Sequence, residues 1–262
     1  MRNFQSDKDS SLFYRAVRWL VWFFAPKFEN VGQENIPDEP CIFVGNHSQM
    51  YGPIVGEIYV PGKRYIWCIG EMMDRKEVPA YAYQDFWSKK PKYIRWFFKI
   101  LSYIIALPAQ AIFRNADTIP VYHDARLRTT YRESIEKLST GYNLVIFPEE
   151  DRKRNNIVYE FQDKFIDVAK LYYRSSHKEV SFVPVYLAPR LKKIYYGKPI
   201  KYHADTPISE ERARISNELM DSITDMAVSL PEHTVVPYAN IPKRLYPKNI
   251  PLEMKSDAPS DG

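Results

Sequence analysis

The chain has 262 residues, 37 Lys and Arg against 32 Asp and Glu, and a formal net charge of +5. That length builds a hydrophobic core without covalent staples, and two cysteines (Cys41 and Cys68) exclude a disulfide framework and point to a reducing compartment. Only 9 glycines occur, with no G-x-G-x-x-G or G-x-x-x-x-G-K-[ST], which excludes the common glycine-rich nucleotide loops, whereas 15% aromatics with basic charge suit a lipid or nucleic-acid surface.

The N-terminus has acids at Asp7 and Asp9 and lacks a signal peptide's cationic start and long apolar run, so export is not expected. Ser11–Phe28 reads as a helix that Ser10 or Ser11 caps and Pro26 ends. Its Trp19-Leu20-Val21-Trp22-Phe23-Phe24 run, flanked by Arg15, Arg18 and Lys27, suits a lipid headgroup layer. Asn35–Pro40 is a turn, Cys41–Val44 a strand, and Gly45-Asn46-His47-Ser48 a loop into a helix through Tyr59. Lys63–Ile69 is a further strand. Lys89–Phe113 repeats the cationic aromatic pattern, with no acid between Ser88 and Ala116.

Further along, the spacing predicts a helix over Asp124–Ser139 that Gly141 ends, and a buried strand over Tyr142–Phe147. Phe161–Arg174 reads as a helix, Val180–Leu187 as a strand, Ile194–Tyr202 as two short strands around Gly197, and Ser209–Leu230 as a helix. Cys41 and Cys68 fall among core residues, and His177, His203 and His233 read as surface residues. Alternating strands and helices give an α/β class: a mixed, mostly parallel sheet covered by helices, preceded by an N-terminal interfacial helical segment. The expected division is a membrane-associated segment over 1–35, an α/β domain over 36–230, and a Pro-rich extension over 231–262 that ends in disorder. Ligands of such sheets gather at strand carboxyl ends, so the loops after Val44, Val121, Phe147 and Leu187 are the places for a site.

Those loops carry Asn46-His47, then Ile119-Pro120-Val121, then Phe147-Pro148-Glu149-Glu150-Asp151-Arg152, then Val183-Pro184-Val185. In this order, and with the later Gly197-Lys198-Pro199-Ile200, the chain resembles the glycerolipid acyltransferases, the 1-acylglycerol-3-phosphate (lysophosphatidic-acid) acyltransferases and their relatives, over roughly 36–226. It departs from them in three places. Gly52 stands where the Asn-His-x4-Asp motif has its aspartate, His123 stands where the second block has arginine, and Glu150, Asp151 and Lys153 replace Gly, Thr and Ser of the third.

The resemblance implies an acyltransferase that moves a fatty acyl group from acyl-CoA or acyl carrier protein to a lysophospholipid hydroxyl. It implies no cofactor beyond that donor, no nucleic-acid partner, and a place at the cytoplasmic face of a phospholipid membrane. His47 would be the general base, a task for which imidazole is suited by a pKa near working pH. Asn46, Glu150 and Asp151 would complete the catalytic set, either acid being a substitute orienter of His47 beside the alternative of a backbone carbonyl. Glu149, Pro148, Arg152, His123 and Arg114 would bind substrate, with Arg152 and more weakly Arg154 and Arg114 meeting a phosphate. Two other readings stay open: a catalytically inactive lipid-binding protein of the same fold, and a hydrolase with a metal held by His47, His123, Glu149, Glu150 and Asp151.

Overall fold

In the computed structural model of the chain, residues 27–49, 51–74, 76–84, 91–104 and 116–250 are described, together with Leu12, Arg15, Ala16, Trp19 and Phe23. The strands are β1 (Glu29–Val31), β2 (Ile42–Gly45), β3 (Arg64–Ile69), β4 (Thr118–Val121), β5 (Asn143–Ile146), β6 (Glu149–Lys153), β7 (Tyr159–Phe161), β8 (Ser181–Ala188), β9 (Lys193–Tyr196) and β10 (Ile200–Lys201). The α-helices are α1 (Tyr51–Tyr59), α2 (Val78–Ala82), α3 (Leu127–Ser139), α4 (Asp167–Ser176) and α5 (Ile208–Val228), and residues 95–104 are also helical.

Eight strands form one sheet in the order β1-β9-β8-β2-β5-β3-β4, with β10 paired to β8. β8, β2, β5, β3 and β4 are mutually parallel, and β9 and β10 run antiparallel to β8. The sheet is therefore mixed and mostly parallel, as its apolar runs predict.

Alternation along the central strands divides the core between the two faces. Ile42, Val44, Leu144, Ile146, Phe182 and Tyr186 point to the face packed by α3, α4 and α5. Phe43, Val145, Val183 and Val185 point to the opposite face and meet Val55 and Ile58 of α1. Proline enters the ladder where it costs little. Pro120 lies on the terminal strand β4, and Pro184 faces Gly197, in the gap where β9 gives way to β10. A side chain on Gly197 would stand 2.7 Å from the Pro184 ring, which accounts for the glycine there.

Several boundaries differ from the sequence reading. The sheet starts at β1, inside the segment assigned to the membrane: Phe28 is buried, Glu29 pairs with Lys193, and the Asn30 amide caps the end of α1 through Tyr59 O at 2.9 Å. Phe161 is a strand residue, so the helix expected from it begins only after a 3-10 turn at Asp163–Ile166. Residues 149–153, a charged run that reads as a solvated turn, pair with β7 as a hairpin off the main sheet. Residues 231–250 belong to the folded body: Val235 and Val236 are buried, and His233, expected at the surface, is 5% exposed. The tail expected to be disordered, 251–262, lies outside the described residues.

Candidate active site

β2, β3, β4, β5 and β8 run in one direction, so their carboxyl ends share one edge of the sheet. His47 stands there, two residues beyond β2, the central strand between β8 and β5. The loop that carries it is tightly determined. Asn46, 1% exposed, clamps it to β8: its Nδ2 donates to Leu187 O at 3.1 Å and to Ser48 Oγ at 2.8 Å, and its Oδ1 accepts from Leu187 N at 2.7 Å. Ser48 and Gln49 then take left-handed backbone conformations, φ 47° and 55°. Two consecutive non-glycine residues there mark strain that the surrounding bonds must hold, a recurrent feature of functional loops.

Both sides of His47 in the main chain are fixed. Its N–H donates to Glu149 Oε2 at 2.5 Å, and its carbonyl accepts from Gly52 N at 2.9 Å. The other carboxylate oxygen, Glu149 Oε1, accepts from Tyr159 N at 2.8 Å. Glu149 thus joins the histidine loop to β7. It is buried, and desolvation pushes its pKa up to about 7 against the lowering effect of the hydrogen bonds from Tyr159 and His47. The His47 ring meets Phe147 at 5.7 Å and Tyr238 at 5.8 Å, both edge-on. A small apolar void lies between the sheet and α1, lined by Phe43, Gly45, Gly52, Gly56, Phe147 and Leu187.

The residues singled out in the sequence divide accordingly. His47, Asn46 and Glu149 come together, and Asn46 and Glu149 are buried and hydrogen-bonded to the backbone. Pro148 is buried too, its carbonyl accepting from Gln162 N at 2.9 Å. Glu150 is half-buried and lies 3.5 Å from the Arg152 guanidinium; Asp151 is exposed. The acid fastened to the histidine is therefore Glu149, through the peptide group. Arg152, with its side chain 72% exposed, projects from the hairpin about 10 Å along the strand from Glu149. Arg154 is tied to α5 through Asn217 and Asp221. His123 is exposed beyond β4, three strands or about 14 Å across the sheet from β2, and Arg114 lies outside the described residues. Among the described residues no three His, Cys, Asp or Glu gather where they could hold a metal ion.

Gly52 has a specific reason to be glycine. A Cβ there would stand 2.4 Å from His47 O and 3.1 Å from its carbonyl carbon. Sequence reading took this position only as a missing acid. It also missed Gln49, Tyr159 and Tyr238, whose roles come from the fold; the one signal was the apolar pair Val235-Val236 in a Pro-rich segment.

A family model described as "Acyltransferase" matches residues 27–188, which is more than half of the 262-residue chain. The chain belongs to the acyltransferase family. The match begins at Lys27, so it takes in β1 as well as the four sequence blocks, and it ends at the last residue of β8. Among solved structures this acyltransferase-family protein is similar to the crystal structure of the 1-acyl-sn-glycerophosphate (LPA) acyltransferase PlsC from Thermotoga maritima. The identity is 18% over 84% of this chain and 78% of that one, with a TM-score of 0.47. No curated protein matches it. Residues 189–250, which include Tyr238, fall outside the matched family region.

Proposed function

We propose that this protein transfers a fatty acyl group from a thioester donor, acyl-CoA or acyl carrier protein, to a hydroxyl of a lysophospholipid such as 1-acylglycerol-3-phosphate, with His47 as general base. The observation that carries the proposal is the placement of His47: an imidazole just beyond the central strand β2 on the strand-carboxyl edge, its peptide fixed by Glu149 and Gly52. In this reading His47 takes the proton from the acceptor hydroxyl as that oxygen attacks the thioester carbonyl, and the thiol leaves with a proton. Fixing both substrates on one edge supplies much of the acceleration. The exposed guanidinium of Arg152 meets the acceptor phosphate, for which its fork is suited.

The acceptor and the acyl chain belong to a membrane, whose cytoplasmic face is the location proposed, and the surface supports contact with a headgroup layer. Tyr93, Trp96, Phe97, Ile100, Tyr103 and Ile104 are all more than half exposed, as are Trp19 and Phe23. Lys92, Arg95 and Lys99 stand among the first group. Aromatics beside cations fit an anionic headgroup layer. No helix among the described residues is long and apolar enough to cross a membrane.

Gly52 favours a second reading, a lipid-binding protein without turnover, because the position carries no carboxylate and a side chain there would press on the His47 carbonyl. The deciding experiment presents the purified protein with acyl-CoA and acyl carrier protein donors and a panel of lysophospholipids in anionic vesicles. Acylated product supports the first reading. No product with any pair, alongside tight lysolipid binding, supports the second.

A further inference from the structure

The chain beyond α5 doubles back over the strand-carboxyl edge. Residues 233–249 form a closed strap. Thr234 bridges Lys248 in antiparallel fashion, Val235 N donates to Pro247 O at 2.9 Å, and His233 N donates to Asn249 Oδ1 at 2.8 Å. Its base is locked into the body. The buried Asn249 amide donates to Ala227 O at 2.7 Å, satisfying the end of α5. His233 Nδ1 donates to Pro231 O at 2.8 Å, which leaves Nε2 to accept from the fully buried Tyr186 hydroxyl at 2.7 Å.

The far part of the strap is fastened to the histidine loop. Gln49, one of the two left-handed residues, donates through Nε2 to Ala239 O and accepts through Oε1 from Tyr246 OH, each at 3.1 Å. Next to the first of these ties, Tyr238 sets its ring against His47 (5.8 Å, 88°) and against Tyr159 (5.6 Å, 52°). His47 and Tyr159 are the same two residues whose N–H groups Glu149 joins. The carboxylate holds their backbones together, and Tyr238 spans their rings.

We propose that Tyr238 is a positioning residue for His47: the strap presses its ring on the imidazole and restricts the orientations that ring can take. The need for it follows from Gly52. A side chain there is shut out by the His47 carbonyl, so restraint must come from other directions, and the two rings found against the imidazole are Phe147 and Tyr238. An edge-on aromatic contact suits the task, since it fixes a ring plane without consuming the imidazole's proton-transfer capacity. The inference rests on His47 being the base, and its test separates the two ideas.

The experiment compares wild type, Y238A, Y238L and Y238F in acyl transfer and in NMR spectra of the 13C/15N-labelled imidazole. Expected for Y238A is a kcat lower by about 10- to 100-fold with the KM of both substrates changed by less than about threefold. Y238F, which keeps the ring, recovers most of that loss. The His47 ring resonances shift and broaden in Y238A and keep near wild-type values in Y238F. Y238L retains bulk and serves if Y238A does not fold; it is expected to follow Y238A. Unmoved His47 resonances in a folded Y238A or Y238L overturn the proposal whatever the kinetics show. So does a kcat at or above wild type, or a Y238F loss as deep as that of Y238A. Full activity of H47A would overturn the base assignment alone, leaving the NMR result to judge the contact.

Discussion

Gly52→Asp restores the acid that the resembled motif places five residues after the histidine, yet the geometry predicts that it harms the protein. The added Cβ would start 2.4 Å from His47 O, and a real contact must open to at least 3.0 Å, a displacement of about 0.6 Å. What must move is backbone, and it is the backbone of the proposed base. The shift breaks the 2.9 Å bond from Gly52 N to His47 O, worth about 1 kcal/mol net. Overpacking adds about 1–3 kcal/mol. An acid in the first turn of α1 returns about 0.3–1 kcal/mol through the helix dipole. The net destabilisation is about 1–4 kcal/mol, a fall in melting temperature of about 2–15 °C for a chain of this size. Misplacing His47 by that much lowers kcat by about tenfold or more. Because the clash belongs to Cβ, G52A loses about as much as G52D. Thermal melts and steady-state acyl transfer on both variants check this. Wild-type stability and turnover in G52A, or a G52D faster than wild type, would refute the reasoning.

Two further outcomes follow from the same structure. Glu149 has its folded pKa raised to about 7 from an ordinary 4.5, so the native state holds a proton that the unfolded chain releases. Its contribution is therefore whole below pH 4.5 and is lost as pH rises through 7, on the order of 3 kcal/mol. Urea denaturation across that window should show wild-type stability falling relative to E149Q, which cannot titrate; parallel curves would contradict it. At the exposed aromatic face, replacing Trp96, Phe97 and Tyr103 together with Ala should weaken sedimentation with anionic vesicles by at least about tenfold while leaving the melting temperature unchanged. Equal sedimentation would remove the case for that face as the membrane contact.

Much of the fold was legible because it depends on local pattern. Ile42-Phe43-Val44 and Leu144-Val145-Ile146 have apolar residues for both faces, the mark of a central parallel strand, and helix spacing located α3 and α5 to within three residues. His47 was legible as well, from its place after such a strand. The hairpin of β6 and β7 was not, because Glu149–Lys153 is a charged run whose first member is buried only through partners distant in sequence, His47 and Tyr159. That both Glu149 oxygens accept from the backbone was accordingly not legible. The strap was hidden for the same reason. Its hold on the body passes through His233 to Tyr186 and through Gln49 to Ala239 and Tyr246, pairs 47 to 197 residues apart. Gly52 illustrates the converse: a residue that reads as a lost function is, in three dimensions, the one that sits against the His47 carbonyl without displacing it.

The central claim is that His47 is the base in acyl transfer, and it is tested most directly by single-turnover acylation of a lysophospholipid by wild type and H47A at matched, near-neutral pH, using the donor that wild type accepts. The account predicts that the H47A rate falls to the uncatalysed level while lysophospholipid binding and the melting temperature stay near wild type. Acylated product formed by H47A at the wild-type rate would contradict it.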